Sequence, residues 1–510
     1  MENLSYLFAF NHLSFTLIAV AIMVIMARAI VAGTKYSAVL VIVVLGLSMG
    51  TLFVKSGIAQ PGLQEFPAIV LLSQTTVIAL IATFFVGGQE IRKLLANQLN
   101  SSSEGLIVPS KDEAFLGTNS TQLTYIIRAF FLLMGIEMVS ALLTGRSVNH
   151  PLGDAYVALA YVCLGIALVL IDRKAKIDNK RGYLTKGLIE VVAIIAVLIV
   201  SLRMSNWIAS LIGLPQIFFA MVISSGLGMA MPKWKAGPTL NALLFAGIPV
   251  LLTGTFLVGG SHMLEAFSIP GLQSVIVYGF AGQMFWMFGG LAILIFLAKA
   301  NHVRNLAPGM AGGLSHSGLT GACTAGDFGK TASARAPIMI NIPFIGHIFV
   351  FTILAASAER GLLLVHWTLP LVLVGLAFVY LACVNLRKAG GDDAKEVKGL
   401  MQFSFGWQIT AVFGSFTILH FAGMPIGNAS MAAASGLSHF GLFAATQGGM
   451  FGAEAASMIT FIFATPFLVH PLVFGLFGKA TENNGIMSKQ AVLTIFALGT
   501  FGVLYSAMSV

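Results

Sequence analysis

Two histidines occupy the same place in a repeated motif, Gly-Leu-Ser-His followed one residue later by Gly-Leu. His316 lies in the stretch GGLSHSGLTGA (312–322), and His439 lies in SGLSHFGLFAA (435–445). Because histidine titrates near neutral pH, each could bind an anion when charged or relay a proton. The alternative is a neutral histidine bonded to a backbone carbonyl. A Ser-His nucleophile within one motif is disfavoured, since adjacent residues on a helix do not face each other, and we predict no catalytic residue.

Small polar residues and glycines surround both histidines. Glycine lets backbones approach closely and exposes amide and carbonyl groups, which attract anions at helix N-termini and sodium at freed carbonyls. The alternative is that the small polar residues only hold helices together. The predicted substrate-binding set is Ser315, His316, Ser317, Gly318, Thr320, Ser438, His439, Gly441, Thr446 and Gln447.

Each motif is followed by one acidic residue, Asp327 in the first copy and Glu454 in the second. An acid within a membrane is costly and indicates a site for sodium or a proton. For Asp327 the alternative is an ion pair with Lys330 or Arg335 at the membrane surface. Repeated glutamines, Gln283 and Gln408, could contact substrate or bond between helices. The predicted coupling-ion set is Asp327, Glu454, Thr324 and Glu137.

The elements that position these residues are predicted from composition. The chain has 510 residues, of which 57% are apolar and 9% charged. A soluble protein carries about 25% charged residues, and about 20 apolar residues cross a bilayer as a helix. We therefore expect an all-α polytopic membrane protein with about 14 transmembrane helices, at 12–33, 37–54, 67–88, 123–144, 155–171, 184–202, 206–231, 239–260, 273–298, 337–356, 363–384, 403–421, 453–474 and 490–508.

The second half of the chain is duplicated. With an offset of 123 positions, 16 of the 39 residues from 313 to 351 are identical to those from 436 to 474. Upstream, an offset of 125 aligns Gln283 with Gln408 and Gly289 with Gly414. The duplication predicts two structural units of one architecture.

Loop charge predicts how the units lie in the membrane. Lys and Arg cluster at 92–111, 173–186 and 387–398, and the positive-inside rule places all three loops in the cytoplasm. This holds if the Gly-rich segments are opposed re-entrant hairpins rather than full crossings, and it inverts the second repeat. The predicted domains are a scaffold or dimer half at 1–262, repeat 1 at 273–386 with a hairpin at 308–334, a cytoplasmic linker at 387–402, and repeat 2 at 403–510 with a hairpin at 428–450.

Two opposed Gly-rich hairpins resemble the ion-transporter superfamily that includes sodium/glutamate and sodium/citrate symporters. The string GLSHFGL (436–442) is similar to the polar crossing segment of bile-acid/sodium symporters, in which that segment crosses fully. FFVGGQEIRKLL (84–95) is similar to the same position in those symporters and in cation/proton antiporters. The resemblance implies a sodium- or proton-coupled carrier with a scaffold and a moving domain.

We therefore expect a secondary active transporter, a symporter of a small organic anion such as a carboxylate or acidic amino acid. A monovalent cation/proton antiporter, a channel and an intramembrane enzyme are the alternatives. The net charge of +9 fits cytoplasmic loops better than nucleic-acid binding. No cofactor or bound metal is expected beyond a coupling Na⁺ or H⁺, because the histidine spacing is no metal signature. The expected partners are the solute, the bilayer and a second copy of the chain, and the expected location is a bacterial inner membrane with the N-terminus outside.

Overall fold

The computed structural model of the chain is helical throughout its described regular structure, with no strand among those residues. The described residues are 22–23, 26–27, 29–31, 38–56, 81, 83–96, 180–212, 216–231, 256–257, 259–261, 263, 268–269, 272–299, 306–314, 319–320, 323, 328, 331–332, 335–341, 343, 346, 350, 353–354, 366–437, 442, 462, 466, 469, 473 and 489–510.

Nine helices have defined bounds within these ranges: α1 Ala38–Lys55, α2 Lys180–Ile212, α3 Gln216–Ala230, α4 Leu272–Ala292, α5 Leu306–Leu314, α6 Thr368–Ala389, α7 Asp393–Phe421, α8 Ile426–Leu437 and α9 Lys489–Met508. A π-helical segment, Ile293–Leu297, extends α4. Helical residues also occupy 83–95 and 335–341.

Three of these helices are long and apolar enough to cross a membrane, namely Leu272–Leu297, Thr368–Ala389 and Lys489–Met508. The expected all-helical class is thus confirmed among the described residues, together with helices long and apolar enough for the expected membrane protein. The sequence predicts a boundary between the spans 184–202 and 206–231. In the structure this boundary lies further along the chain, because α2 continues to Ile212 and α3 begins at Gln216. Pro215 directly precedes α3, and proline is tolerated where a helix starts but not within it.

The helices α4 and α9 run antiparallel along their whole length. The ammonium of Lys489 lies 5.7 Å from the ring centre of Phe296. At the other end, the Ser506 hydroxyl donates to the carbonyl of Ser274 at 2.7 Å. Between them a Cβ on Gly499 would lie 2.5 Å from the amide nitrogen of Phe285. Glycine is therefore required there for the two backbones to meet.

The helices α6 and α7 form an antiparallel pair joined by the turn 390–392. Gly390 and Gly391 take left-handed φ values of +59° and +88°, which suit glycine. Asp392 then caps α7 by accepting a hydrogen bond from the Lys395 amide at 3.2 Å, and this bond lowers the pKa of the Asp392 carboxyl. Most of the segment predicted as the linker 387–402 is consequently helical, since the cap starts α7 at Asp393 rather than near 403.

Side-chain contacts define one end of this bundle, here called the charged end. The Arg387 guanidinium donates to the carbonyl of Leu297, where α4 and its π segment finish, and Arg335 pairs with Asp393 at the start of α7. The opposite end joins the start of α6 to the last turns of α7 through the hydroxyls of Thr417 and Thr368, 2.8 Å apart. Among the residues described there (272–274, 366–369, 419–426 and 505–510) none is Lys or Arg.

The two repeat-equivalent helices α4 and α7 therefore point in opposite directions. The helix α4 with its π segment finishes at the charged end, whereas α7 begins there. The chain also returns to the charged end at Arg335 after leaving it at Leu297. Both ends of the segment 298–334 thus lie at the same end of the bundle.

Candidate functional site

The helices α4 and α7 cross near their midpoints through two tryptophans. The rings of Trp286 and Trp407 meet edge to face, with centroids 5.6 Å apart, and the Trp407 indole N–H donates to the carbonyl of Trp286 at 3.2 Å. Each ring lies over a glycine of the other helix: a Cβ on Gly414 would be 2.5 Å from Trp286, and one on Gly290 would be 2.7 Å from Trp407. The crossing is tightly packed and lies near the middle of both helices.

The Gly-rich helices α5 and α8 each pack against the long helix of the other repeat. The helix α5 of the first repeat lies on α7 of the second, where a Cβ on Gly312 would be 3.1 Å from the Ser404 hydroxyl. The helix α8 of the second repeat lies on α4 of the first, where a Cβ on Gly279 would be 2.7 Å from the Ser435 hydroxyl. With the sequence offsets, Gly279 corresponds to Ser404 and Gly312 to Ser435. The two contacts are therefore equivalent, as a pseudo-twofold relation between the repeats requires.

The predicted motif residues continue directly from these helices, after Leu314 in α5 and after Leu437 in α8. Thr320 is described and is buried. The other members of both predicted sets lie outside the described residues, and their predictions stand as made. They are Ser315, His316, Ser317, Gly318, Thr324, Asp327, Ser438, His439, Gly441, Thr446, Gln447, Glu454 and Glu137.

Buried polar side chains accumulate around the crossing. The repeat-equivalent glutamines Gln283 and Gln408 are both fully buried. The Trp286 indole N–H donates to the Tyr278 hydroxyl at 3.1 Å. The Ser415 hydroxyl lies close to Tyr278, is fully buried and makes no hydrogen bond among the described residues. Sequence reasoning did not single out Tyr278, Trp286 or Ser415, because an aromatic or a serine in an apolar run is typical of ordinary packing.

A buried ion-pair cluster lies at the charged end. Arg335, with 1% of its side chain exposed, contacts the Asp393 carboxylate at 2.7 Å and that of Glu90 at 3.7 Å. Glu90 also contacts the Lys93 ammonium at 2.6 Å. The acids described beside Arg335 are Glu90 and Asp393. Asp327, for which Arg335 is an alternative predicted partner, lies outside the described residues. The signal for Glu90 was present in FFVGGQEIRKLL, where it is the one acid at the end of an apolar stretch.

Beside the ion pairs, glycines allow the segment 83–95 to pack closely against both α3 and the segment 335–341. A Cβ on Gly87 would overlap the Asn341 amide, and one on Gly88 would overlap the carbonyl of Ser225. Asn341 in turn accepts a hydrogen bond from the Ser225 hydroxyl. Residues of the predicted scaffold half therefore pack closely against repeat 1.

No group of three or more His, Cys, Asp or Glu side chains suited to a metal ion occurs within the part of the chain that is described. No family model matches this chain, and no curated protein or solved structure is significantly similar to it. The geometry of the crossing and the sequence therefore carry the functional argument.

Proposed function

We propose that this protein is a secondary active transporter that carries a small organic anion together with sodium or a proton by alternating access. The observation that carries the proposal is the antiparallel crossing of α4 and α7, with each Gly-rich helix packed on the long helix of the other repeat. Inverted repeats that meet near the midplane are the usual architecture of secondary transporters.

The finer topology of the proposal has 14 membrane crossings and two opposed re-entrant hairpins, at 308–334 and 428–450. The position of Leu297 and Arg335 at the same end of the bundle supports the first hairpin, because a single full crossing would separate them. Lys and Arg at the charged end, including Arg387, Lys388, Lys395 and Lys398, favour a cytoplasmic location for it. The N-terminus is then outside, in a bacterial inner membrane.

The proposed substrate site lies where the two motifs leave α5 and α8, and it includes His316 and His439. A charged histidine and hydroxyl donors suit a carboxylate, while Asp327 and Glu454 suit the coupling ion. A second copy of the chain is the proposed partner, as a dimer that anchors the scaffold half.

Gradient-driven uptake in proteoliposomes tests this proposal. Purified full-length protein is reconstituted, sodium and proton gradients are imposed separately, and labelled L-glutamate, L-aspartate, citrate, L-malate or succinate is added outside. We expect saturable uptake of at least one anion with one of the gradients, and its loss in both His316→Ala and His439→Ala. Lys395→Ala, an exposed change at the charged end, is the control and should leave uptake intact.

Sodium-driven proton flux that needs no added solute would instead identify a cation/proton antiporter. Non-saturable flux that follows the solute gradient alone would identify a channel. Either result would reject the symporter.

A further inference from the structure

The polar cluster formed by Tyr278, Trp286 and Ser415 occurs on only one side of the pseudo-twofold crossing. With the offset of 125 positions, its counterparts in the other repeat are Phe403, Ala411 and Gly290. Phe403, like Tyr278, is fully buried. These three positions therefore carry polar groups on one side of the crossing and apolar residues on the other.

This comparison within one chain separates packing from function. A polar group buried at membrane depth is unfavourable unless it is bonded, and the counterpart positions show that the crossing does not require it. The Tyr278 ring is as fully buried as that of Phe403. The additional hydroxyls and indole N–H thus need a reason other than the geometry of the crossing.

The hydrogen bonds of the cluster leave two hydroxyl donors for a ligand. An indole N–H can only donate, so the Tyr278 oxygen accepts from Trp286. The Ser415 hydroxyl beside it is fully buried and makes no hydrogen bond among the described residues. The hydroxyl hydrogens of Tyr278 and Ser415 are thus both available to an acceptor, and a carboxylate oxygen is the strongest acceptor of this kind.

The cluster lies beside the second Gly-Leu-Ser-His motif. A Cβ on Gly436 would be 3.1 Å from the Tyr278 ring, and Ser438 and His439 follow Gly436 by two and three residues. On the other side of the crossing, Gly313 has Ser404 and Trp407 as its nearest neighbours.

We propose that the hydroxyls of Tyr278 and Ser415, oriented by Trp286, bind a carboxylate of the substrate, and that the substrate binds on the second repeat's side of the crossing. This inference rests on the proposed function, which it deepens by assigning binding residues and a side.

Equilibrium binding and uptake of the same five labelled anions by the full-length protein test the inference. The variants are Tyr278→Phe, which removes one hydroxyl, and Ser415→Gly, which copies Gly290. Phe403→Tyr is the matched control, because it adds a hydroxyl at the counterpart position. A hydrogen bond to a charged group contributes about 1.5–3 kcal/mol, so we expect Tyr278→Phe to weaken binding and raise KM by about 10- to 150-fold. Phe403→Tyr should change neither quantity by more than about twofold.

The outcomes separate this inference from the transport proposal. Unchanged Kd and KM in both Tyr278→Phe and Ser415→Gly, with uptake retained, would overturn the inference and leave the transporter standing. Binding that depends on Tyr278 without gradient-driven uptake would reject the transporter and support the binding site. Absence of both binding and uptake in the wild-type protein would reject both. If Tyr278→Phe does not fold, as judged by size-exclusion chromatography, Ser415→Gly alone decides.

Discussion

The Ser404 hydroxyl donates a hydrogen bond to the carbonyl of Gly309 at 2.8 Å, across the contact between α7 and α5. In the other repeat the carbonyl equivalent to that of Gly309 belongs to Ala432, and it accepts from Ser435 at 3.0 Å within α8. The same backbone oxygen is therefore bonded to a serine in both repeats, although the serine lies on the neighbouring helix in one and on the same helix in the other. Glycine occupies the opposing position in each case, as Gly312 and Gly279.

Glycine and serine exchange places between the two equivalent contacts, and this predicts that a second substitution can compensate for a first one between α4 and α8. Gly279→Ser would place a Cβ 2.7 Å from the Ser435 hydroxyl and 2.8 Å from Pro466, and such overpacking costs about 1–3 kcal/mol. Adding Ser435→Gly should recover part of this loss, because it restores the arrangement found at Ser404 and Gly312. Thermal unfolding in detergent measures both. A double variant no more stable than Gly279→Ser alone would contradict the equivalence of the two contacts.

Two glycines on α3 should respond oppositely to alanine. A Cβ on Gly228 would overlap the carbonyl of Phe85, whereas one on Gly226 would have no atom within 4 Å. Gly228→Ala should destabilise the protein by about 1–3 kcal/mol, and Gly226→Ala should stabilise it by about 0.5–1 kcal/mol through its better helix propensity. Unfolding of the two variants under the same conditions tests the close approach of α3 to 83–95, and equal effects would argue against it.

The buried ion pairs predict a strong effect of Arg335 on stability. Arg335→Met removes the cation from Glu90, whose side chain is 3% exposed, and from Asp393. Breaking a buried pair in this way costs about 3–5 kcal/mol, and a further Glu90→Gln should recover part of it. The exposed pair of Lys395 with Asp392 provides the control, since Lys395→Met should change the unfolding temperature little. Similar effects of the two single variants would contradict the burial of the cluster.

The two ends of the bundle predict opposite labelling by a membrane-impermeant maleimide. Cysteines replace Lys299 or Lys388 at the charged end, or Ser509 at the other end, in a variant whose three native cysteines are removed. All three positions are exposed. We expect labelling of the first two only from the cytoplasmic face and of Ser509→Cys only from the outside. Labelling of Lys388→Cys and Ser509→Cys from the same face would reject the arrangement of the helices across the membrane.

Much of the fold follows from the sequence because helix formation in a membrane depends on local composition. The apolar runs at 273–298, 363–384 and 490–508 correspond to α4 with its π segment, α6 and α9, with ends displaced by a few residues. The repeat at an offset of 123 likewise pairs α5 with α8 before any contact is known. The boundary near 403 was less predictable, because Asp392 and two glycines start α7 earlier within a charged stretch.

The sequence by itself determined a helical protein with long apolar segments and a duplicated Gly-rich motif, since apolar content and internal identity are read along the chain. Only the tertiary structure decided which residues meet. Glu90 and Arg335, or Tyr278 and Ser415, are separated by more than a hundred residues, and no helical periodicity relates them. It also decided that the two repeats differ at their crossing. Equivalent positions of the two repeats, such as Tyr278 and Phe403, can carry a polar or an apolar side chain on the same type of helix. The contacts that each side chain makes with the facing helix show which positions differ.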